Sequence, residues 1–127
     1  MERVNLSSGS LWEDKVGYSR AVKLNNTIEV AGTTATKDGK IVGKGDPYVQ
    51  ADFILSKIAR ILQELGSDMS DVVRTRIYVL DIDQWEEIGK AHQKFFENIK
   101  PAATMVEVNS LIDPDLLVEI EVTAVIN

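Results

Sequence analysis

Apolar and polar residues alternate along several stretches of the chain, and each such stretch predicts a β-strand. The run YSRAVKLNNTIEVAG predicts a hairpin, because Asn25 and Asn26 separate two β-rich segments and asparagine tolerates the positive φ of a tight turn. The run TATKDGKIVG predicts a second, shorter hairpin around Asp38 and Gly39. The first quarter of the chain is therefore expected to be mainly β-structure.

Three further strands are predicted beyond the hairpins. DVVRTRIYVLD alternates Thr75, Ile77 and Val79 with polar positions, as a half-buried strand does. Two final strands have the same alternation, with apolar residues at Val106, Val108, Val118, Ile120 and Val122.

Two segments have helical instead of alternating spacing. DPYVQADFILSKIARILQELG predicts a helix capped by Asp46, with Pro47 in its first turn and Gly66 just past its end. DQWEEIGKAHQKFFENI predicts a second helix, in which Asp83 and Glu86 have the spacing of a capping box. Its apolar stripe is predicted at Trp85, Ile88, His92, Phe95 and Ile99.

This order of elements predicts an α+β fold in which two helices cover one face of a mixed sheet. If the helices cover Ile77, Val106 and Ile120, the remaining strand residues lie on the opposite face. These are Arg74, Arg76, Tyr78, Ala103, Met105, Glu107, Glu119 and Glu121. Such a face is either solvated, with weak surface ion pairs, or an oligomer interface in which partly desolvated charges are paired.

Length and residue usage limit the kinds of chemistry available. With 127 residues, one domain covering residues 1–127 is expected. The chain has no cysteine, so disulfides and thiolate catalysis are excluded, and His92 is its only histidine, which excludes a multi-histidine metal site within one chain. No metal ligand set is therefore predicted.

The net charge of −6 argues against nucleic-acid partners, which are usually bound by clustered lysine and arginine. The N-terminal MERVNLSSGS lacks the apolar run of a signal peptide, and no stretch reaches the roughly 18 apolar residues of a membrane span. A cytoplasmic protein without membrane or nucleic-acid partners is expected.

Several motifs resemble the RidA family, also called YjgF or L-PSP endoribonuclease-like. They are GYSRAV, the VAG of the second predicted strand, VVRTRIYVLDI, AHQKFF, and PAATMVEVNSL followed by VEIEVTAV. The resemblance begins near Gly17 and covers nearly all of the chain beyond it, and its C-terminal part is the most specific.

The resemblance implies a chorismate-mutase-like α+β fold and a homotrimer with a small-molecule cleft between each pair of subunits. Many members hydrolyse reactive enamines and imines to 2-keto acids and ammonia without a metal or other cofactor. In them an arginine in a P-A-R-S context binds the substrate carboxylate, which a guanidinium can hold bidentately.

Here the arginine position is Ala103, and three more positions depart from the family pattern. Ala31 replaces a small hydroxyl residue, Met105 a cysteine and Gly89 an asparagine. The positions implied to line the cleft are Tyr18, Ala31, Gly32, Gly89, Ala103, Met105 and Glu119. These replacements predict a more apolar cleft, in which Tyr18 and Glu119 are the remaining catalytic candidates.

Several residue roles stay open at this point. Arg74 or Arg76 could replace the missing arginine, but pairing with the glutamates of the same face is favoured. Tyr18 is either an orienting hydroxyl or an interface residue, and Glu119 either moves protons or forms an ion pair. His92 is interpreted as a packed, hydrogen-bonded residue and not as a catalytic one.

Three functions follow, in order of preference. The first is a homotrimer that binds a small metabolite in its clefts without the standard enamine or imine deaminase activity. The second is a cofactor-independent hydrolase or deaminase for a different imine-like or non-carboxylate substrate. The third is an endoribonuclease, which the negative charge and the single histidine disfavour.

Overall fold

A six-stranded sheet with helices on one face forms the centre of the molecule. The computed structural model describes residues 2–127, and its sheet has the strand order β1-β2-β3-β8-β6-β7. Neighbouring strands are antiparallel except β6 and β7, which are parallel. The strands are β1 (Arg3–Leu6), β2 (Ala21–Leu24), β3 (Thr27–Thr33), β4 (Thr36–Lys37), β5 (Lys40–Ile41), β6 (Val72–Val79), β7 (Ala102–Glu107) and β8 (Val118–Val125). The helices are α1 (Leu11–Val16), α2 (Pro47–Glu64) and α3 (Trp85–Phe96).

Both predicted hairpins are confirmed, and their turns have the backbone geometry that the sequence demands. Asn25 has a φ of 55° between β2 and β3. Asp38 and Gly39 have φ values of 52° and 77° between β4 and β5, which form a separate two-stranded ribbon. Positive φ at the first central residue, as in the first turn, or at both, as in the second, is typical of the tight turns that suit β-hairpins.

The residues predicted to start and stop α2 lie at its two ends in the structure. The Asp46 side chain accepts a hydrogen bond from the Val49 amide at 3.0 Å, and Pro47 occupies the first turn. Gly66 follows the helix with a φ of 82°. The buried face of α2 packs on the sheet through Ile54, Leu55, Ile58, Ile61 and Leu62.

The start of α3 differs from the prediction. Asp81, and not Asp83, is the capping residue: its carboxylate accepts from the Asp83 amide at 2.9 Å and begins a 3₁₀ turn over Ile82–Gln84. Trp85 was expected to pack in the core, but 56% of it is exposed. The extra turn moves the start of the apolar stripe to Ile88.

The predicted facing of β7 is wrong. Its parallel register with β6 aligns Ala103 with Thr75 and Met105 with Ile77, so both lie on the helix side of the sheet. Met105 packs against the core, while Val106, aligned with Tyr78, is 42% exposed. Glu107 aligns with Val79 on the same side as Met105, where its carboxylate accepts from the Ile82 amide at 3.0 Å.

The prediction that His92 is a packed, hydrogen-bonded residue is confirmed. Its Nε2 lies 2.9 Å from the Thr75 hydroxyl, and its ring centroid is 4.6 Å from that of Phe96. Burial lowers the pKa of His92 below its ordinary value. The contact also shows that α3 packs on the Thr75 face of β6.

Two elements were not predicted, the edge strand β1 and the short helix α1. Both lie in the first sixteen residues, where apolar residues are few. Among residues 2–127, no helix has the length and apolar character needed to cross a membrane.

Candidate functional site

The sheet face opposite the helices carries the predicted mixture of charges, but the pairs differ from those expected. Tyr78 donates its hydroxyl proton to Glu121, and this hydrogen bond raises the pKa of Tyr78. Arg76 stands opposite Glu121 in the register, and Arg74 donates to the Thr104 hydroxyl at 2.6 Å. Within residues 2–127 neither arginine forms a salt bridge, so the ion pairs predicted for them do not form inside one chain.

A cavity of about 900 Å³ lies beside Glu119, and we call it the Glu119 cavity. Its walls come from α1, the β4–β5 ribbon, α2 and the strands β3 and β8. The residues that matter for its chemistry are Tyr18, Arg20, Gly32, Lys37, Asp38, Lys57, Arg60 and Glu119. Its rim carries exposed apolar side chains, namely Leu11, Trp12, Val16 and Ile112.

A β-bulge in β3 shapes one wall of this cavity. Val30 pairs with Val122 and Thr33 with Ile120, so one extra residue is accommodated on β3 between them. Bulges commonly redirect side chains next to functional sites. The bulge brings Gly32 beneath Glu119, where a Cβ on residue 32 would overlap the Glu119 carboxylate.

Glu119 is half-buried, and its burial has an electrostatic consequence. Desolvation raises the pKa of Glu119 above its ordinary value, Glu121 adds to the effect and Arg20 opposes it. A carboxyl group with a raised pKa can both take up and release protons nearer neutral pH. The position therefore suits proton transfer, as the sequence had suggested.

Tyr18 lies beside the same cavity. It is 39% exposed, and the guanidinium carbon of Arg20 is 5.8 Å from the centroid of its ring. Ala31, one of the predicted site residues, lines a neighbouring cavity of about 750 Å³ that also contacts Tyr18, Arg76 and Glu121. One chain therefore brings Tyr18, Ala31, Gly32 and Glu119 together.

Arg20 was not among the predicted site residues, although it is the most buried cation of the cavity. It is 9% exposed, and its Nη2 donates to the Gly32 carbonyl at 2.9 Å. Its Nε is buried without a hydrogen-bond partner in the described part of the chain. The only hint in the sequence is its place directly before the apolar pair Ala21 and Val22. The expectation of a more apolar cleft is therefore wrong for this half of the site.

The other three predicted site residues lie elsewhere. Ala103 and Met105 are on β7 at the edge of the sheet, and their side chains point to the helix side. Gly89 is in the middle of α3, and nothing lies within 4 Å of the position of a Cβ there. None of the three lines the Glu119 cavity. Residues 2–127 also contain no cluster of three or more histidine, aspartate or glutamate side chains suited to a metal ion.

Comparisons with known proteins identify the family of the chain. The family model described as Endoribonuclease L-PSP matches residues 12–126. A RutC family protein of Pyrococcus abyssi is 36% identical over 109 residues, which is 84% of each chain. The chain belongs to the L-PSP endoribonuclease family, also known as RidA or YjgF.

Solved structures of the family share the fold. A Mycobacterium tuberculosis protein of the YjgF/YER057c/UK114 family is 46% identical, with a TM-score of 0.90 over 98% of this chain and 100% of its own. A YjgF family protein of Neisseria meningitidis is 28% identical, with a TM-score of 0.82 over 98% of this chain and 95% of its own. The predicted α+β fold of the RidA family is thus confirmed.

The structure separates three of the four departures from the RidA pattern from the residues that match it, whereas the fourth, Ala31, lies beside Tyr18. Gly89, Ala103 and Met105 are together on the β7 and α3 side of the molecule, where they supply no polar side-chain group except a thioether. Tyr18 and Glu119, which match the pattern, lie in the cavity with Arg20. The polar candidate residues are therefore present in the Glu119 cavity, and the positions of Ala103, Met105 and Gly89 lie outside it.

Proposed function

We propose that this RidA-family protein is a homotrimer that binds a small metabolite in clefts between its subunits. In each cleft, the Glu119 cavity of one chain faces the β7 and α3 side of its neighbour. The separation of the predicted site residues into two groups supports this arrangement, because no single chain brings Ala103 and Glu119 into one cavity.

The surface around the cavity also supports association. Leu11 and Val16 on its rim are 75% and 70% exposed, and Ile112 is 71% exposed. Apolar side chains grouped in this way are costly in water and are typical of surfaces that another chain covers. A second copy of this chain is the occupant that the family resemblance favours.

The β7 half of the cleft supports binding without the standard imine hydrolysis. Ala103 offers a methyl group where the hydrolytic members offer a guanidinium, and Met105 packs into its own core. A substrate carboxylate would have no partner at that end of the cleft. The substrate's reacting carbon would then not be fixed next to Glu119 and a water molecule, as hydrolysis requires.

The observation that carries this proposal is the position of Ala103 on the edge strand, apart from the cavity of Tyr18 and Glu119. The test is hydrolysis of 2-aminoacrylate generated in the assay. We expect the wild-type rate to be at least about a hundredfold below that of an arginine-bearing family member, because a misplaced substrate commonly reacts about a hundredfold more slowly. A rate similar to that of the relative would refute the proposal.

A matched variant makes the same assay more informative. Ala103 is exposed, so Ala103→Arg can be accommodated, and it restores only the guanidinium. An increase in the rate would show that the rest of the cleft is competent. No increase would assign part of the loss to Gly89 and Met105.

A second candidate function is a cofactor-independent hydrolase for a different imine-like substrate. The raised pKa of Glu119, caused first by burial, favours it, because the group could exchange protons with a bound molecule. Screening imines of varied size for ammonia release would test this function, and Glu119→Gln should abolish any activity found. We expect either function to be exercised in the cytoplasm.

A further inference from the structure

The Glu119 cavity collects positive charge in a chain that is acidic as a whole. Four cationic side chains line it, against two carboxylates, whereas the net charge of the chain is −6. The cations are Arg20, Lys37, Lys57 and Arg60, and the carboxylates are Asp38 and Glu119. A local excess of one charge in a concave site attracts ligands of the opposite charge.

None of these four cations forms a salt bridge with a carboxylate of residues 2–127. Glu13, a buried acidic residue of α1, has a charge that acts on both Arg20 and Lys57, and its carboxylate also accepts from the Ser8 amide at 3.2 and 3.3 Å and from the Ser8 hydroxyl. Glu13 and Glu119 therefore offset part of the positive charge, and an excess of positive charge remains because the four cations outnumber the nearby carboxylates.

The cations are also held close to one another. Lys57 and Arg60 are one turn apart on α2, and both line the cavity with Arg20. Burial lowers the pKa of Lys57, the positive charges of Arg20 and Arg60 lower it further, and the negative charge of Glu13 opposes them. Like charges gathered in a partly buried site are unfavourable unless an anion joins them.

Arg20 is the fixed member of the group. Arg20 is 9% exposed, its guanidinium is oriented by the Gly32 carbonyl at 2.9 Å, and its Nε–H has no acceptor among residues 2–127. A buried donor without a partner costs free energy that a ligand can recover, directly or by a small movement of the side chain. Such a group is preorganised for binding because little side-chain freedom remains to be lost.

We propose that Arg20, Lys57 and Arg60 bind the carboxylate of a small organic acid in the Glu119 cavity. This inference rests on the proposed function and names the ligand class of the same cleft. It places the carboxylate on the side of the cleft opposite to Ala103. It also argues against the non-carboxylate substrate that the sequence offered as one option for the second function. The carboxylate of Glu119 disfavours a dianion beside it, so a monoanionic acid is selected over phosphate.

The test uses pyruvate and its neutral amide, pyruvamide, as a matched pair of probes. Trp12 lies on the rim of the cavity and Trp85 does not, so the Trp85→Phe variant leaves Trp12 as the only tryptophan reporter. Fluorescence titrations are performed at constant ionic strength with chloride as the balancing anion. We expect pyruvate to bind at least about tenfold more tightly than pyruvamide, as a charge-assisted contact requires.

Variants then assign the contacts. Lys57→Gln and Arg60→Gln should each weaken pyruvate binding by about three- to tenfold and leave pyruvamide binding unchanged. Lys40→Gln is the control, because Lys40 is an exposed cation of the β4–β5 ribbon that does not line the cavity. Glu119→Gln should tighten pyruvate binding, because it removes the neighbouring negative charge. Arg20→Lys should weaken it most, provided that the variant unfolds at a temperature close to that of the parent.

The outcomes separate this inference from the proposed function. Equal affinity for pyruvate and pyruvamide would overturn the anion site while leaving a metabolite cleft intact. Tighter binding of inorganic phosphate than of pyruvate would also overturn the choice of a carboxylate. If neither organic probe binds and Lys57→Gln instead dissociates the oligomer, the cations serve a neighbouring chain, and the anion site is refuted.

Discussion

The carboxylate of Glu119 lies over the backbone of Gly32, in the space that a side chain at position 32 would fill. The two residues meet because β8 pairs with β3 across the bulge between Val30 and Thr33. Glycine at this position therefore allows a half-buried carboxylate to lie within the cavity. There the positive charge of Arg20 partly offsets the rise in the pKa of Glu119 that burial causes.

Gly32→Ala tests this contact. The added methyl group must displace the end of the Glu119 side chain, which is flexible, while Cδ and Cγ of Glu119 lie 3.1 and 3.4 Å away. We expect the free energy of unfolding to fall by about 1 kcal/mol, the typical cost of a point substitution. Urea unfolding measures the change, and a gain in stability would contradict the placement of Glu119.

Gly89→Ala is the matched control for that variant. Nothing lies within 4 Å of a Cβ at Gly89, and the residue is in the interior of α3. Alanine loses less conformational freedom than glycine in a helix, so stability should rise by about 0.5–1 kcal/mol. Destabilisation of the isolated chain would show that the helix is more crowded there than the structure indicates.

The pH dependence of stability should reveal the raised pKa of Glu119. Burial raises the pKa of Glu119 in the folded chain above the 4.5 of an ordinary glutamate. The folded state then binds this proton more tightly than the unfolded state, so the contribution to stability is complete below pH 4.5 and is lost as the pH rises through the raised pKa. Glu119→Gln should remove that loss, and unfolding curves between pH 4 and about 8 measure it. An unchanged pH profile would be incompatible with a desolvated carboxyl group.

His92 should act in the opposite direction. Burial lowers its pKa below the ordinary 6.5, so the unfolded chain binds the proton more tightly. Stability is therefore present above pH 6.5 and declines as the pH falls through the lower, folded-state pKa. In His92→Gln, the free energy of unfolding should rise less steeply with pH in this range. Glu119→Gln should change the pH dependence in the opposite direction, because it removes a fall in stability with rising pH. Equal slopes in the variant and the wild type would mean that His92 is not desolvated.

The start of α3 provides a further test. Asp81→Ala removes the carboxylate that accepts from the Asp83 amide and should cost about 1 kcal/mol of stability. Asp83→Ala should change stability by less than about 0.5 kcal/mol, because the Asp83 side chain does not cap the turn. Thermal unfolding of the two variants distinguishes them, and the reverse order would restore the capping box expected from the sequence.

The sequence predicted those elements whose local signals agree with their packing. The helix α2 has a cap, a proline in its first turn and an apolar stripe, and all of them appear as expected. In β7, by contrast, Met105 and Val106 are adjacent and lie on opposite faces, so both faces have an apolar residue. The parallel register with β6 decides which face is buried, and that pairing joins segments about thirty residues apart.

The site was predicted only in part for a related reason. Tyr18, Gly32 and Glu119 could be identified by their motifs, and the structure places them in one cavity. Arg20 could not, because its burial depends on the β3 bulge and on α2, which are distant in sequence. A charged residue next to a strand is usually solvent-exposed, and local pattern offers no reason to treat this one differently.

A cleft completed by a neighbouring chain requires an oligomer, so the molar mass of the protein in solution is the decisive measurement. Light scattering coupled to size-exclusion chromatography should give about 42 kDa, three times the chain mass of 14.1 kDa. The value should persist on dilution, because the rim of the Glu119 cavity is apolar. A mass of about 14 kDa at all concentrations would contradict the account, because Ala103 and Glu119 would then belong to no common site.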